Sequence, residues 1–165
     1  LRSILLVVVA AIGTSALALE RGAAQPIGDS PTRLSGRPTD IHDGDTFRFG
    51  GTRIRLFGID APELDDPGGR AAREALALAI AGGRVRCTDT GARSYDRIVA
   101  RCVNAKGYDL ARIMVRSGWA VDWWYHSCGL YLADEADAQK ARRGIFGGRG
   151  VVPVHERPRD RKCGA

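Results

Sequence analysis

Asp45-Thr46-Phe47-Arg48-Phe49-Gly50-Gly51-Thr52-Arg53-Ile54-Arg55-Leu56-Phe57 is the stretch whose reading settles the fold class. Two strand-like runs flank a pair of glycines, and glycine accepts the positive φ that a tight hairpin turn demands. Gly58 interrupts the second strand before Ile59-Asp60, and Pro62 ends the ladder because it has no N–H to give. Working outward, residues 69–81 are rich in Ala, Leu, Arg and Glu, with Ala72, Leu76 and Ile80 at helical spacing. This predicts a helix stopped by Gly82-Gly83. Residues 84–88 and 98–103 read as strands joined by a loop that contains Ser94-Tyr95-Asp96-Arg97. A second helix is expected over 109–117, with Leu110, Ile113 and Met114 on one face and Gly118 closing it. Residues 119–125 are apolar and aromatic, and a third helix over 132–143 ends at Gly144. Strands interleaved with three helices, and no internal repeat, predict a small α+β barrel rather than a doubly wound sheet.

The ends differ from this middle. Residues 1–18 read as a signal peptide: Arg2, then an apolar run from Ile4 to Ile12, then Ala16-Leu17-Ala18 before Leu19 as the first mature residue. The run is short for a membrane span, and an uncleaved anchor is the alternative. Residues 19–38 hold Gly, Pro, Ser and Arg without an apolar period and read as a linker or disordered arm. The domain itself is expected over 39–148, with 149–165 as an extended basic tail.

The 165-residue chain carries a formal charge of +6, which suits an anionic partner and equally suits solubility. Its four cysteines form no CxxC pair, which argues against a zinc site. With an export signal they point to disulfides. Cys87 and Cys102 lie on neighbouring strand-like runs and can face each other, and Cys128 and Cys163 then pair by elimination. Four cysteines still allow three pairings.

Within this frame the acids Asp43, Asp45, Asp60 and Glu63 offer the oxygen ligands that Ca²⁺ or Mg²⁺ prefers. The plainer reading makes each motif a turn. An EF-hand is excluded, because Phe47 and Arg48 stand where that loop needs an acid and a glycine. Arg55 sits in an apolar strand, where a guanidinium either snorkels to water or is held by carboxylates and phosphate. Strict alternation puts Arg55 and Asp60 on opposite faces unless the chain bends at Gly58. Phosphodiester hydrolysis uses this mixture. A carboxylate such as Glu63 can deprotonate water, arginines match phosphate bidentately, and a cation reduces the repulsion between anions. His42, His126 and His155 are scattered, and no phosphate-binding glycine-rich loop or Gly-x-Ser-x-Gly is present.

Four ordered motifs carry a resemblance: Asp43-Gly44-Asp45-Thr46, the run Arg55-Leu56-Phe57-Gly58-Ile59-Asp60-Ala61-Pro62-Glu63, Tyr95-Asp96-Arg97, and Met114-Val115-Arg116-Ser117-Gly118-Trp119-Ala120. Together they resemble the thermonuclease (staphylococcal nuclease-like) family over roughly residues 39–148. The resemblance implies an OB-fold five-stranded β-barrel with three helices. It also implies Ca²⁺-dependent hydrolysis of DNA and RNA with low sequence specificity, leaving 3′-phosphate ends. On this resemblance Asp45, Asp60 and the backbone carbonyl of Ala61 hold Ca²⁺, with Asp43 in the outer shell. Glu63 is the general base, and Arg55 and Arg97 bind phosphate. Base-stacking aromatics fall near Trp124 and Tyr125, while Trp123 reads rather as core. Asp96 stands where the family usually has glycine, which allows it to hold Arg97 away from phosphate or simply to adjust the turn. The expectation is a secreted or periplasmic monomer without a stable protein partner. The alternative is an OB-fold module that binds nucleic acid or protein without cutting it.

Overall fold

The computed structural model describes residues 32–148 and 150. The predicted signal peptide, most of the predicted arm and nearly all of the predicted tail lie outside these residues. In chain order the elements are β1 (Arg33–Gly36), β2 (Asp40–Ile41), β3 (Thr46–Phe49), β4 (Thr52–Leu56), β5 (Ile59–Asp60), α1 (Gly69–Ile80), β6 (Val85–Ser94), β7 (Arg97–Val103), α2 (Leu110–Arg116), β8 (Val121–Asp122), α3 (Trp124–Ser127) and α4 (Leu132–Lys140). A 3-10 turn over Gly144–Gly147 closes the series. Among the described residues no helix is long and apolar enough to cross a membrane.

The predicted hairpin is β3–β4, in register Thr46↔Arg55 and Phe47↔Ile54. Phe47 and Ile54 point inward and are fully buried, which fixes Thr46 and Arg55 on the outer face. β4 lies parallel to β7. A parallel pair needs a long crossover, and α1 with β6 supplies it. Ala72, Leu76 and Ile80 of α1 and Leu110, Met114 and Val115 of α2 pack with Leu56, Val85 and Ala100 in one core cluster. Each fully buried Leu, Ile or Val there contributes about 1.5–3 kcal/mol. Asp109 caps α2 by accepting the Arg112 N–H at 3.2 Å.

The structure is α+β as expected, but its main sheet has six strands, in the order β1-β6-β7-β4-β3-β2, where five were expected. The extra edge strand, β1, falls in the stretch read as a disordered arm. Its single apolar residue, Leu34, gives no periodic signal. Its strand state comes from pairing with β6, where Leu34 faces Cys87 and Gly36 faces Val85. β6 likewise runs to Ser94 through a bulge between Asp89 and Arg93, so the expected loop is mostly ladder. Two short helical elements, α3 and the 3-10 turn, join the three expected helices.

Cys87 and Cys102 are directly opposite across β6–β7 and form a disulfide. Cys128 is also disulfide-bonded, and its expected partner Cys163 lies outside the described residues.

A separate two-stranded ladder positions the second acid motif. β5 pairs with β8 in register Asp60↔Val121. The Asp122 N–H of β8 donates to Glu135 Oε2 on α4 at 2.8 Å, and Asp122 Oδ1 accepts the Tyr131 N–H at 3.1 Å. Helix α4 therefore holds β8, and β8 holds Asp60.

Candidate active site

Asp43-Gly44-Asp45 forms a turn that enters β3. Asp43 Oδ1 accepts the Asp45 N–H at 2.9 Å, which makes Asp43 the shaper of the turn. The turn is pressed against α1, and a Cβ on Gly44 would lie 2.7 Å from Ala61 Cβ and 2.8 Å from Ala72 Cβ. Glycine is the residue that permits this approach.

Arg55 is the centre of the site and is only 6% exposed. Its Nη1 donates to Asp45 Oδ1 at 2.9 Å and its Nη2 to Asp60 Oδ1 at 2.7 Å. Its guanidinium also lies 5.2 Å from the ring centroid of Trp123. Asp60 reaches Arg55 because the chain turns at Gly58, with φ of 75°, and β5 leaves the main sheet to pair with β8. A Cβ on Gly58 would meet Ser127 Cβ at 3.0 Å, so that bend also needs glycine. The opposite-face problem posed by strict alternation is solved in this way.

Arg97 joins the same network through Thr46. Arg97 Nη1 donates to Thr46 Oγ1 at 3.2 Å, and Thr46 Oγ1 donates to Asp45 Oδ1 at 2.8 Å. Ser94 holds the other side of the guanidinium, its Oγ accepting from Arg97 Nη2 at 2.9 Å. Asp96 does not tether Arg97. It accepts two hydrogen bonds from Arg53 Nη1, at 3.1 and 3.2 Å.

Electrostatically Asp45 differs from an ordinary carboxylate. Loss of water pushes Asp45 up to about 8; Arg55 pulls it down and Asp43 pushes it further up. Burial opposes the charge of Arg55, but Asp45 and Asp60 outweigh it and raise the arginine's pKa.

Glu63 lies on the rim, exposed, in the segment between β5 and α1. Its side chain makes no hydrogen bond or ion pair among the described residues. Ala61 N–H donates to Asp45 Oδ2 at 3.3 Å. Trp124 and Tyr125 are the first residues of α3, which packs against β5; Trp124 is half-buried and Tyr125 is 45% exposed. Two residues had no role in the site on sequence reasoning. Trp123, assigned to the core, instead faces Arg55. Tyr95, at the tip of the β6–β7 hairpin, is 94% exposed with its ring centroid 5.8 Å from the Arg97 guanidinium. Its place beside Arg97 in the sequence was the available signal.

The acid motifs contribute hard oxygen donors with no thiolate or imidazole among them, which suits a cation of the Ca²⁺ or Mg²⁺ type. Among the described residues no three His, Cys, Asp or Glu side chains cluster as a ready-made metal cage. Asp45 and Asp60 therefore fit a cation that takes the rest of its shell from backbone carbonyl, water and substrate oxygen.

Residues 53–147 match the family model described as Staphylococcal nuclease homologue. Succinoglycan biosynthesis protein ExoI of Rhizobium meliloti (strain 1021) is 34% identical over 138 residues, covering 77% of this chain and 68% of that protein. An Uncharacterized endonuclease of Escherichia coli is 30% identical over 126 residues, covering 73% of this chain and 82% of its own length. Probable endonuclease LCL3 of Schizophyllum commune (strain H4-8 / FGSC 9210) is 29% identical, covering 76% of this chain and 60% of that protein.

Proposed function

The chain belongs to the staphylococcal nuclease homologue family and is a nuclease, and from that premise we propose that it is an exported, Ca²⁺-dependent enzyme. It hydrolyses the phosphodiester bonds of DNA and RNA with low sequence specificity and leaves 3′-phosphate ends. One observation carries the reading: Arg55 is held between Asp45 and Asp60 while Arg97 is tied to the same Asp45 through Thr46. Two phosphate-binding side chains and two cation-binding side chains thus share one hydrogen-bonded network.

Arg55 and Arg97 bind the scissile phosphate and meet the charge that grows on its oxygens. Asp45, Asp60 and the carbonyl of Ala61 would hold Ca²⁺, with Asp43 behind them, and a cation bound there would supply Lewis-acid polarisation of the phosphoryl oxygen. Glu63, on the solvent side, takes the proton of the attacking water. The water oxygen forms the new bond to phosphorus, the bond from phosphorus to the 5′ oxygen breaks, and that oxygen leaves with a proton from solvent. Tyr95, with Trp124 and Tyr125, offers aromatic surface to the flanking bases, which stack without regard to sequence. The Cys87–Cys102 disulfide supports an oxidising, secreted or periplasmic location.

A plasmid-nicking assay with added Ca²⁺ and with EDTA tests the activity and its metal dependence. Glu63→Gln should keep the fold and lose about 10²–10⁴-fold in cleavage rate. An unchanged rate sinks the base assignment. Tight binding without EDTA-sensitive cutting supports the non-catalytic binding module instead.

A further inference from the structure

We propose that the outer face of β1, β6 and β7 is a second phosphate-binding surface, made by Arg33, Arg86 and Arg101, that carries the nucleic-acid strand onward from the acid–arginine site. The identity of the polyanion rests on the nuclease reading above. Cys87 and Cys102 point inward, so their neighbours Arg86, Thr88 and Arg101 point outward. β1 extends the same face, because Arg33 pairs with Thr88 and Ser35 with Arg86. All three arginines are exposed.

This face is continuous with the candidate site. Arg55 is paired with Val99, and Arg101 lies two residues further along β7 on the same side. The ladder continues there, with the Phe57 N–H donating to Ala100 O at 3.0 Å, and the Arg101 guanidinium rests 4.0 Å from the Phe57 ring centroid. From strand geometry Arg101 stands roughly 8 Å from Arg55 in Cα position, and Arg33 two strands beyond at about 10 Å. The row Phe57, Arg101, Thr88, Arg33 therefore leads away from the reacting phosphate.

Charge singles out the occupant. Arg53, Arg93 and Arg112 are each paired with an aspartate. Among the described residues Arg33, Arg86 and Arg101 form no ion pair. The outward positions of these three strands in the paired ladder are arginine, serine, threonine and valine, and the acid that bridges Val103 at the end of β7, Asp109, is engaged in capping α2 and accepting the Tyr131 hydroxyl. Stacking on Phe57 orders one guanidinium while its in-plane donors remain suited to phosphate oxygens. Arginines outside any ion pair, spread along a row that starts at the candidate phosphodiester site, complement a nucleic-acid backbone several nucleotides long.

The test is binding of fluorescein-labelled single-stranded oligonucleotides by anisotropy in EDTA, using a short probe of about three nucleotides and a long one of about fifteen. The variant is Arg33→Gln/Arg86→Gln/Arg101→Gln in the full chain. Its control is Arg70→Gln/Arg116→Gln/Arg142→Gln, which removes equal charge elsewhere. For the long probe the first variant should bind about tenfold more weakly, and the slope of log K against log salt should fall in magnitude by about 2. The short probe should be unaffected. An unchanged long-probe slope overturns the proposal. So does an equal loss for both probes, or the same loss in the control. If the triple variant does not fold, single Arg33→Gln and Arg101→Gln variants are read instead, each expected to lower the slope by about 0.7. Cleavage is measured separately on the unsubstituted protein with Ca²⁺. A protein that cuts but shows no slope change loses only the surface. One that shows the slope change but never cuts loses only the nuclease reading.

Discussion

Arg53 and Arg55 stand two residues apart on β4, on one face of the sheet, and each is salt-bridged to aspartate. The Arg55 side chain is 7% exposed and its partners Asp45 and Asp60 are 3% and 21% exposed, whereas Arg53 and Asp96 are 26% and 65% exposed. Water separates the two cases. At Arg53 solvent screens the pair, so it adds little to stability. At Arg55 a guanidinium and two carboxyl groups have lost hydration together, and each is tolerable only while the others remain. The lesson is that burial, not bond length, distinguishes the two ion pairs on this strand.

The largest test removes the centre of the buried cluster. Arg55→Met fills a similar volume but leaves Asp45 and Asp60 without their cation. It should cost about 3–5 kcal/mol in urea unfolding, and cleavage should be lost with it. A cost under about 1 kcal/mol would break the comparison, because it would give Arg55 the value of a surface pair.

The next test titrates the cluster. Burial raises the Asp45 carboxyl from 3.8 to about 8, so the folded protein keeps a proton that the unfolded chain has released. Stability from this group is then fully present below about pH 4 and is lost as pH rises through about 8. Asp96 moves the other way, lowered by its hydrogen bonds from Arg53, so its contribution is present above the ordinary range and lost as pH falls. In EDTA the unfolding free energy should decline between pH 5 and 9, and Asp45→Asn should flatten that decline. A flat profile in the unsubstituted protein would show Asp45 ionised throughout and overturn the raised pKa.

Thr46 gives a smaller and more local effect. Thr46→Val keeps the shape but removes the hydroxyl that joins Arg97 to Asp45, at a cost of about 1–3 kcal/mol. Thr46→Ser restores the hydroxyl and should recover most of the cleavage rate that valine loses. Equal rates for valine and serine would make Thr46 a packing residue only.

Much of this was legible in the sequence, and what was not has physical causes. The hairpin around Gly50-Gly51 and the helix later found at Gly69–Ile80 follow from period and turn chemistry, which act over a few residues. The pairing of Arg55 with Asp60 was legible only as a condition on Gly58, because the bend is fixed by a close approach to Ser127, far along the chain. β1 was hidden because its strand state is supplied by β6. Trp123 was assigned to the core because an apolar run after a helix carries no mark of the guanidinium it will face. Asp96 is the clearest case. Adjacency suggested Arg97 as its partner, whereas the hairpin directs it across to Arg53 on β4.

That last contact yields the smallest expected effect. Asp96→Gly deletes an exposed carboxylate whose hydrogen bonds go to Arg53 and leaves every partner of Arg97 in place. The unfolding midpoint should not move measurably, and cleavage should stay within about twofold at ordinary salt, since the pair is screened by solvent. The two aspartates would then differ as their surroundings do: one dispensable beside an exposed arginine, the other required beside a buried one. A rise in cleavage of about tenfold in Asp96→Gly, vanishing at high salt, would mean that Asp96 restrains Arg97 through its field rather than by contact. In that case the exposed pair belongs to the site after all, and burial alone no longer separates the two arginines of β4.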